Sequence, residues 1–250
     1  MLIDLNNASA PERLESDVCV VGGGAAGVAL ARSLSRRGHD VCLLEAGGMD
    51  FEQATQDLCL GDNLGMEYYE LEHSRLRFFG GTTNIWGGRS IPLDRIDFEK
   101  RDWVPHSGWP ITLEELQPYY KIAHDSLELG EYDYSAEMWE KLKLTPVKFD
   151  PEEIAHLFWR FDLKKERFNN TQVDALLSAG NVRLVLHANV VRIQAGETAK
   201  DNRHLVTRTR GGHEAVIQAK HFVLACGAIE NARLLLLSDD TEKAGVGNST

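Results

Sequence analysis

Residues 18–31 read VCVVGGGAAGVALA: four apolar residues, three successive glycines, then a small-residue segment with helical character. The run from Val18 to Val21 is rich in β-branched side chains, as expected of a strand buried on both faces of a parallel sheet. The helix that follows continues as VALARSLSRRG, with Arg36 and Arg37 in its last turn and Gly38 placed to cap it. A second buried strand, VCLLE, is expected at 41–45. Strand, glycine turn, helix and strand make a βαβ unit of about thirty residues. The fold class is therefore α/β, built on a mostly parallel sheet.

Gly22, Gly24 and Gly27 fit G-x-G-x-x-G, with Ala25 opening the helix, and Glu45 follows Gly24 by 21 positions with Ala46 behind it. That is the spacing at which a carboxylate accepts hydrogen bonds from a ribose diol. The first glycine makes the tight turn, the second admits a pyrophosphate to the backbone, and the third lets helix pack on strand. The helix N-terminus adds N–H donors and partial positive charge. A carboxylate at Glu45 would repel a 2′-phosphate, so the expected ligand is a dinucleotide with an unphosphorylated ribose. The motif alone does not choose between nicotinamide and flavin dinucleotides. An NAD-dependent dehydrogenase and a non-catalytic nucleotide-binding module both remain open on this evidence, although the βα alternation that the former would continue stops after Gly48.

The chain has 250 residues, 27 basic against 38 acidic, for a formal net charge of -11. That balance disfavours nucleic acid and anionic membrane surfaces as partners. Cys19, Cys42, Cys59 and Cys226 show no metal-ligand or C-x-x-C spacing, and the nine histidines form no ligand pairs, so no metal is expected. The first seventeen residues lack the pattern of a signal peptide, and 18–31 is too short and glycine-rich for a membrane span. The chain reads as soluble and cytoplasmic.

Farther along, Thr112 and Glu115 form a capping-box pattern that starts a helix near Leu113, with Pro118 inside it. Further helical patches are expected around 136–144, 171–179 and in AIENARLLLLS. Strand signals return in NVRLVL, ANVVRI, HLVTRTR, EAVIQAK and HFVLACG, with a hairpin turn at Gly211 and Gly212. Parallel strands are expected at Val18, Val41, Val182 and Phe222, with a small antiparallel meander from Val190 to Lys220. Residues 1–95 and 172–250 then form the two parts of one domain, and 96–171 form a largely helical insertion.

A second glycine-rich run, FFGGTTNIWGGR at 78–89, is not a linker, because a linker has no use for Trp86 or for paired phenylalanines. Its backbone is shaped for something to lie against it.

In order, VCVVGGGAAGVALA, VCLLEAGG, FFGGTTNIWGGR, ANVVRI and FVLACGAIENARLLLLS resemble the FAD-binding half of the glucose-methanol-choline (GMC) oxidoreductases, nearest the sugar-oxidising, pyranose-oxidase-like branch. The resemblance implies a Rossmann-like FAD-binding fold. It places Gly80, Gly81, Thr82 and Thr83 along the pyrophosphate and ribityl chain, with Trp86, Gly87 and Gly88 near the flavin ring. It also implies that the Val190 backbone contacts the adenine, that Ala225 and Cys226 close a strand beside the cofactor, and that Arg77 supports the flavin. An ordinary strand valine and a solvated arginine would equally suit positions 190 and 77.

One departure matters. Pyranose-oxidase-like sequences carry, just before the tryptophan, a histidine that bonds covalently to flavin; here that place is Ile85. Non-covalent FAD is expected. The resemblance further implies oxidation of a CH–OH group of a sugar or other polyol, a small-molecule alcohol substrate, with the electron acceptor left open. The family's catalytic base lies in a C-terminal region beyond the matched stretch, so no catalytic residue is assigned here, and a fragment lacking the substrate domain is expected.

Overall fold

The computed structural model describes residues 1–150, 152–161, 170–196, 202–241 and 243–246. Strand β1 (Leu2–Asp4) precedes β2 (Arg13–Val21), helix α1 (Ala25–Arg36) and β3 (Val41–Leu44), and a single turn of helix, α2 (Gln53–Gln56), follows. Next come β4 (Arg89–Ser90), α3 (Arg95–Phe98), α4 (Leu113–Ser126), α5 (Met138–Lys141) and β5 (Arg160–Phe161). The chain then forms α6 (Asn170–Leu177), β6 (Val182–Leu186), β7 (Val190–Ala195), β8 (Asn202–Arg208), β9 (Glu214–Leu224) and α7 (Ala228–Leu237).

Seven strands form one sheet in the order β1-β6-β3-β2-β9-β8-β7. The first four pairings are parallel, and β9-β8-β7 is an antiparallel meander attached through β9. Period-two alternation explains why VCVV carries no polar residue. Val18 and Val20 join Val28 and Ala31 of α1 and Leu176 of α6 in one buried cluster, whereas Cys19 and Val21 join Leu205, Ile217 and Leu234 in another. Both faces of β2 are thus covered, as a central parallel strand requires. The α1 helix ends as its sequence suggests, with Gly38 at φ 86° and its N–H donated to Ser35 O.

Two sequence expectations change. EAVIQAK and HFVLACG read as two strands, but β9 runs unbroken through Lys220 and His221 and registers against β2 from Arg13↔Val216 to Val21↔Leu224. The two polar residues are exposed in mid-strand, His221 opposite Val18, so continuity there depends on pairing with β2 and not on hydrophobic pattern. β1 was not expected at all; three residues are too few to carry a period, and their order comes from pairing with β6.

The chain divides into two compact units, Met1–Ile85 with Glu166–Thr250, and Trp86–Lys165. In the second unit the described helices are α3, α4 and α5, with a short antiparallel ladder between β4 and β5; positions 151 and 162–169 of the expected helical insertion lie outside the described residues. The α4 capping box is present in full, Glu115 N donating to Thr112 Oγ1 at 3.2 Å and Thr112 N to Glu115 Oε2 at 2.7 Å. No helix among the described residues is long and apolar enough to cross a membrane.

Candidate functional site

A groove of about 540 Å³ opens at the carboxyl ends of β2, β3 and β9, within the first unit. This is where open α/β sheets bind ligands, and its size suits a small-molecule site. Its first wall is the β2–α1 turn. Gly22 has φ 111°, and a Cβ there would lie 2.5 Å from Ala225 O. A Cβ at Gly27 would lie 1.9 Å from Gly22 O, so Gly27 stands behind the turn, where it lets α1 pack, and is not among the lining residues. Gly24 is different: the nearest atom to a Cβ there is Gly80 O at 4.0 Å, which leaves open space in front of the α1 N-terminus. That terminus has no side-chain cap and no acidic residue in its first turn, so its N–H donors and positive end remain for an anion.

Glu45, 6% exposed, stands at the end of β3. Its Oε2 accepts from Gly23 N at 3.0 Å and its Oε1 from Gly47 N at 2.9 Å. Burial pushes the carboxyl above its usual range, and the Gly47 and Gly23 N–H groups and the Arg77 charge offset that only in part. Glu45 therefore braces the glycine turn, a role its spacing did not disclose. A third backbone donor, Ala46, also reaches the carboxylate, which keeps lone-pair capacity for a hydroxyl donor.

The second wall is the run that opens FFGGTTN. Phe79, 1% exposed, anchors it in the core beneath α1 and β3. Phe79 N donates to Gly48 O and Gly80 N to Gly23 O, both at 2.9 Å, and Gly80 forms a parallel bridge with Gly24. Gly80 and Gly81 have φ of 89° and 53°, which a β-carbon would strain. The threonine hydroxyls are partly engaged within the loop: Thr83 Oγ1 donates to Gly80 O, and Thr82 Oγ1 accepts from Leu76 N. The two glycine-rich runs, more than fifty residues apart in sequence, thus share one groove.

Arg77 is not solvated. Its side chain is 11% exposed, Nη1 lies 3.1 Å from Glu230 Oε2, Nη2 donates to Asn189 Oδ1 at 2.6 Å, and Nε is buried without a protein partner. The remaining wall comes from Ala46, Ala188, Asn189 and Val190, from Ala225 and Cys226, and from the start of α7. Burial, with Glu45 nearby, pushes the Cys226 thiol up to about 11, and its Sγ donates to Val21 O; a thiol held this way is protonated and inert. The structure brings together Gly22, Gly24, Ala25, Glu45, Ala46, Arg77, Gly80, Gly81, Thr82, Thr83, Val190, Ala225 and Cys226. Trp86, Gly87 and Gly88 instead begin the second unit. Sequence reasoning missed Gly23, Gln56, Arg75, Asn189 and Glu230; the R-x-R spacing of Arg75 and Arg77 and the lone acid in AIENAR were the available signals.

These residues fit an adenine dinucleotide: an open backbone cradle at Gly24, an uncapped helix end, a buried carboxylate with free lone pairs, and an unpaired guanidinium N–H in the wall. No group of three His, Cys, Asp or Glu side chains among the described residues could hold a metal ion.

Comparison with known proteins agrees with this chemistry. A family model described as FAD dependent oxidoreductase matches residues 17–243. The chain is 34% identical over 121 residues to 6'''-hydroxyparomomycin C oxidase of Streptomyces lividus, a match covering 42% of this chain and 22% of that protein. It is 30% identical over 118 residues to paromamine 6'-oxidase of Streptomyces fradiae, with the same two coverages. Among solved structures, pyridoxine 4-oxidase from Mesorbium loti matches with a TM-score of 0.57 at 21% identity, over 89% of this chain and 51% of that one. A fungal aryl-alcohol oxidase matches with a TM-score of 0.56 at 13% identity, over 89% of this chain and 47% of that one. At these identities the likeness is one of fold. The chain spans about half the length of these structures, and the matched region about a fifth of the curated relatives.

Proposed function

The chain belongs to the FAD dependent oxidoreductase family, and on that premise we propose that its groove holds FAD non-covalently, as part of a protein that oxidises a CH–OH group of a sugar or other polyol. The observation that carries this reading is the meeting of Gly24 and Gly80 in one groove that also contains Glu45. Bound flavin supplies a hydride acceptor for the carbinol carbon. The chain's own residues bind and orient. The α1 N-terminus takes the phosphates, the Gly80–Thr83 backbone takes the chain beyond them, Glu45 takes the ribose diol, and Val190 borders the adenine. Trp86, Gly87 and Gly88 are proposed to approach the ring.

Ile85 supplies no nucleophile for a covalent link, which supports the non-covalent reading. The groove-lining residues include no histidine among those described, and Glu45 and Cys226 are both engaged in structural bonds. We therefore assign the base that accepts the hydroxyl proton to none of the described residues that line the groove. The names of the two Streptomyces oxidases support a sugar-like alcohol as substrate. Titration of the chain with FAD tests the reading: flavin absorption should co-elute with the protein and be released completely by acid or guanidinium. Binding of NAD in preference to FAD, or flavin retained on denatured protein, would overturn it.

A further inference from the structure

Glu230, in the first turn of α7, gathers the basic side chains of the second wall. Arg75 approaches its Oε1 through Nε at 3.1 Å and Nη2 at 2.8 Å, and Arg77 Nη1 lies 3.1 Å from its Oε2. The three side chains are 14%, 11% and 16% exposed for Arg75, Arg77 and Glu230, so this is a largely desolvated cluster and not a surface pair. Burial alone would raise the Glu230 carboxyl, but the Arg77 and Arg75 charges outweigh it and hold it below the usual range. Further bonds tie the segment down: Arg75 donates through Nη1 to Leu71 O at 2.7 Å and through Nη2 to Cys59 O at 3.2 Å, and Arg77 N donates to Gln56 Oε1 at 3.1 Å. Three residues on from Arg77 the same segment makes the Gly80–Gly23 contact.

We propose that Glu230 is a positioning residue for the cofactor: by clamping Arg75 and Arg77 it fixes the Gly80–Thr83 turn opposite Gly24 and so sets the half of the groove that lies beyond the adenosine end. The proposal rests on the FAD reading and deepens it. Glu230 does not itself need to touch FAD, and its charge would repel a pyrophosphate if the arginines did not neutralise it. A carboxylate that merely repels and one that positions predict opposite signs on removal.

The test compares FAD and ADP binding to the full 250-residue chain, wild type against E230Q, with visible circular dichroism of the bound flavin as a second readout. E230Q keeps the side-chain shape but removes the charge and one acceptor oxygen. Expected are at least a tenfold weaker FAD affinity, an ADP affinity within twofold of wild type, and an altered flavin dichroism. ADP is the control because its proposed contacts are the α1 N-terminus, Glu45 and Val190, and not the Gly80–Thr83 turn that the clamp fixes. Unchanged or tighter FAD binding, or equal losses for FAD and ADP in a folded variant, would overturn the proposal. If E230Q does not fold, R75K decides: it keeps the charge but loses the fork, and FAD affinity equal to wild type overturns the proposal. Failure of the wild-type chain to bind FAD would instead reject the proposed function.

Discussion

Two glycines of one motif should respond to alanine in opposite ways. At Gly27 the added Cβ would lie 1.9 Å from Gly22 O and 3.1 Å from Gly22 C, both backbone atoms that cannot swing aside. The β2–α1 turn would have to move by more than an ångström. That places G27A at the upper end of overpacking costs, about 3 kcal/mol, or on the order of 6–12 °C in melting temperature for a chain of this size. At Gly24 the backbone is already in an allowed extended conformation, φ -77° and ψ -175°, and nothing lies closer than 4.0 Å to the new atom. The unfolded chain loses entropy with alanine while the helix loses a favourable N-cap residue, so stability should change by less than about 1 kcal/mol. The methyl group, however, projects into the space reserved for the pyrophosphate, and FAD affinity should fall at least about tenfold, or 1.4 kcal/mol. Thermal unfolding of the FAD-free variants and FAD titration measure the two effects separately. A G24A chain less stable than G27A, or one that binds FAD like wild type, would refute the reasoning.

Other expectations follow from single side chains. Truncating Phe79 to alanine removes a fully buried aromatic beneath the second wall and should cost about 3–5 kcal/mol in chemical denaturation; a loss under 1 kcal/mol would show that the anchor is not there. His187 has Nδ1 2.7 Å from Asp4 Oδ1 and Nε2 3.1 Å from Glu52 Oε1; burial opposes its charge, but the two carboxylates outweigh burial and raise its pKa. Its contribution to stability is therefore present in full below the usual histidine range and is lost as pH rises through the raised value. Unfolding midpoints followed across that window should fall in wild type and stay flatter in H187Q; parallel curves would contradict the ion pairing. With its pKa at about 11, Cys226 should resist iodoacetamide in the native chain at pH 8 and react on unfolding, as mass spectrometry would show.

What the sequence could settle by itself was local. The period-two burial of VCVV, the glycine turn into α1, the Gly38 stop and the Thr112–Glu115 box are each written within a few residues, because strand pleat, helix turn and caps are short-range geometry. The position of Glu45 at the end of β3, beside the glycine turn, was likewise readable from spacing, since a βαβ unit has a fixed length. Tertiary structure alone decided what touches what at long range. It paired β9 with β2 across some two hundred residues, brought Gly80 onto Gly24, turned Glu45 back to hold Gly23, and let Glu230 collect Arg75 and Arg77. No local pattern encodes such contacts: they form only when burial of the sheet's two faces forces distant segments together, and the polar groups carried in with them must then find partners away from water.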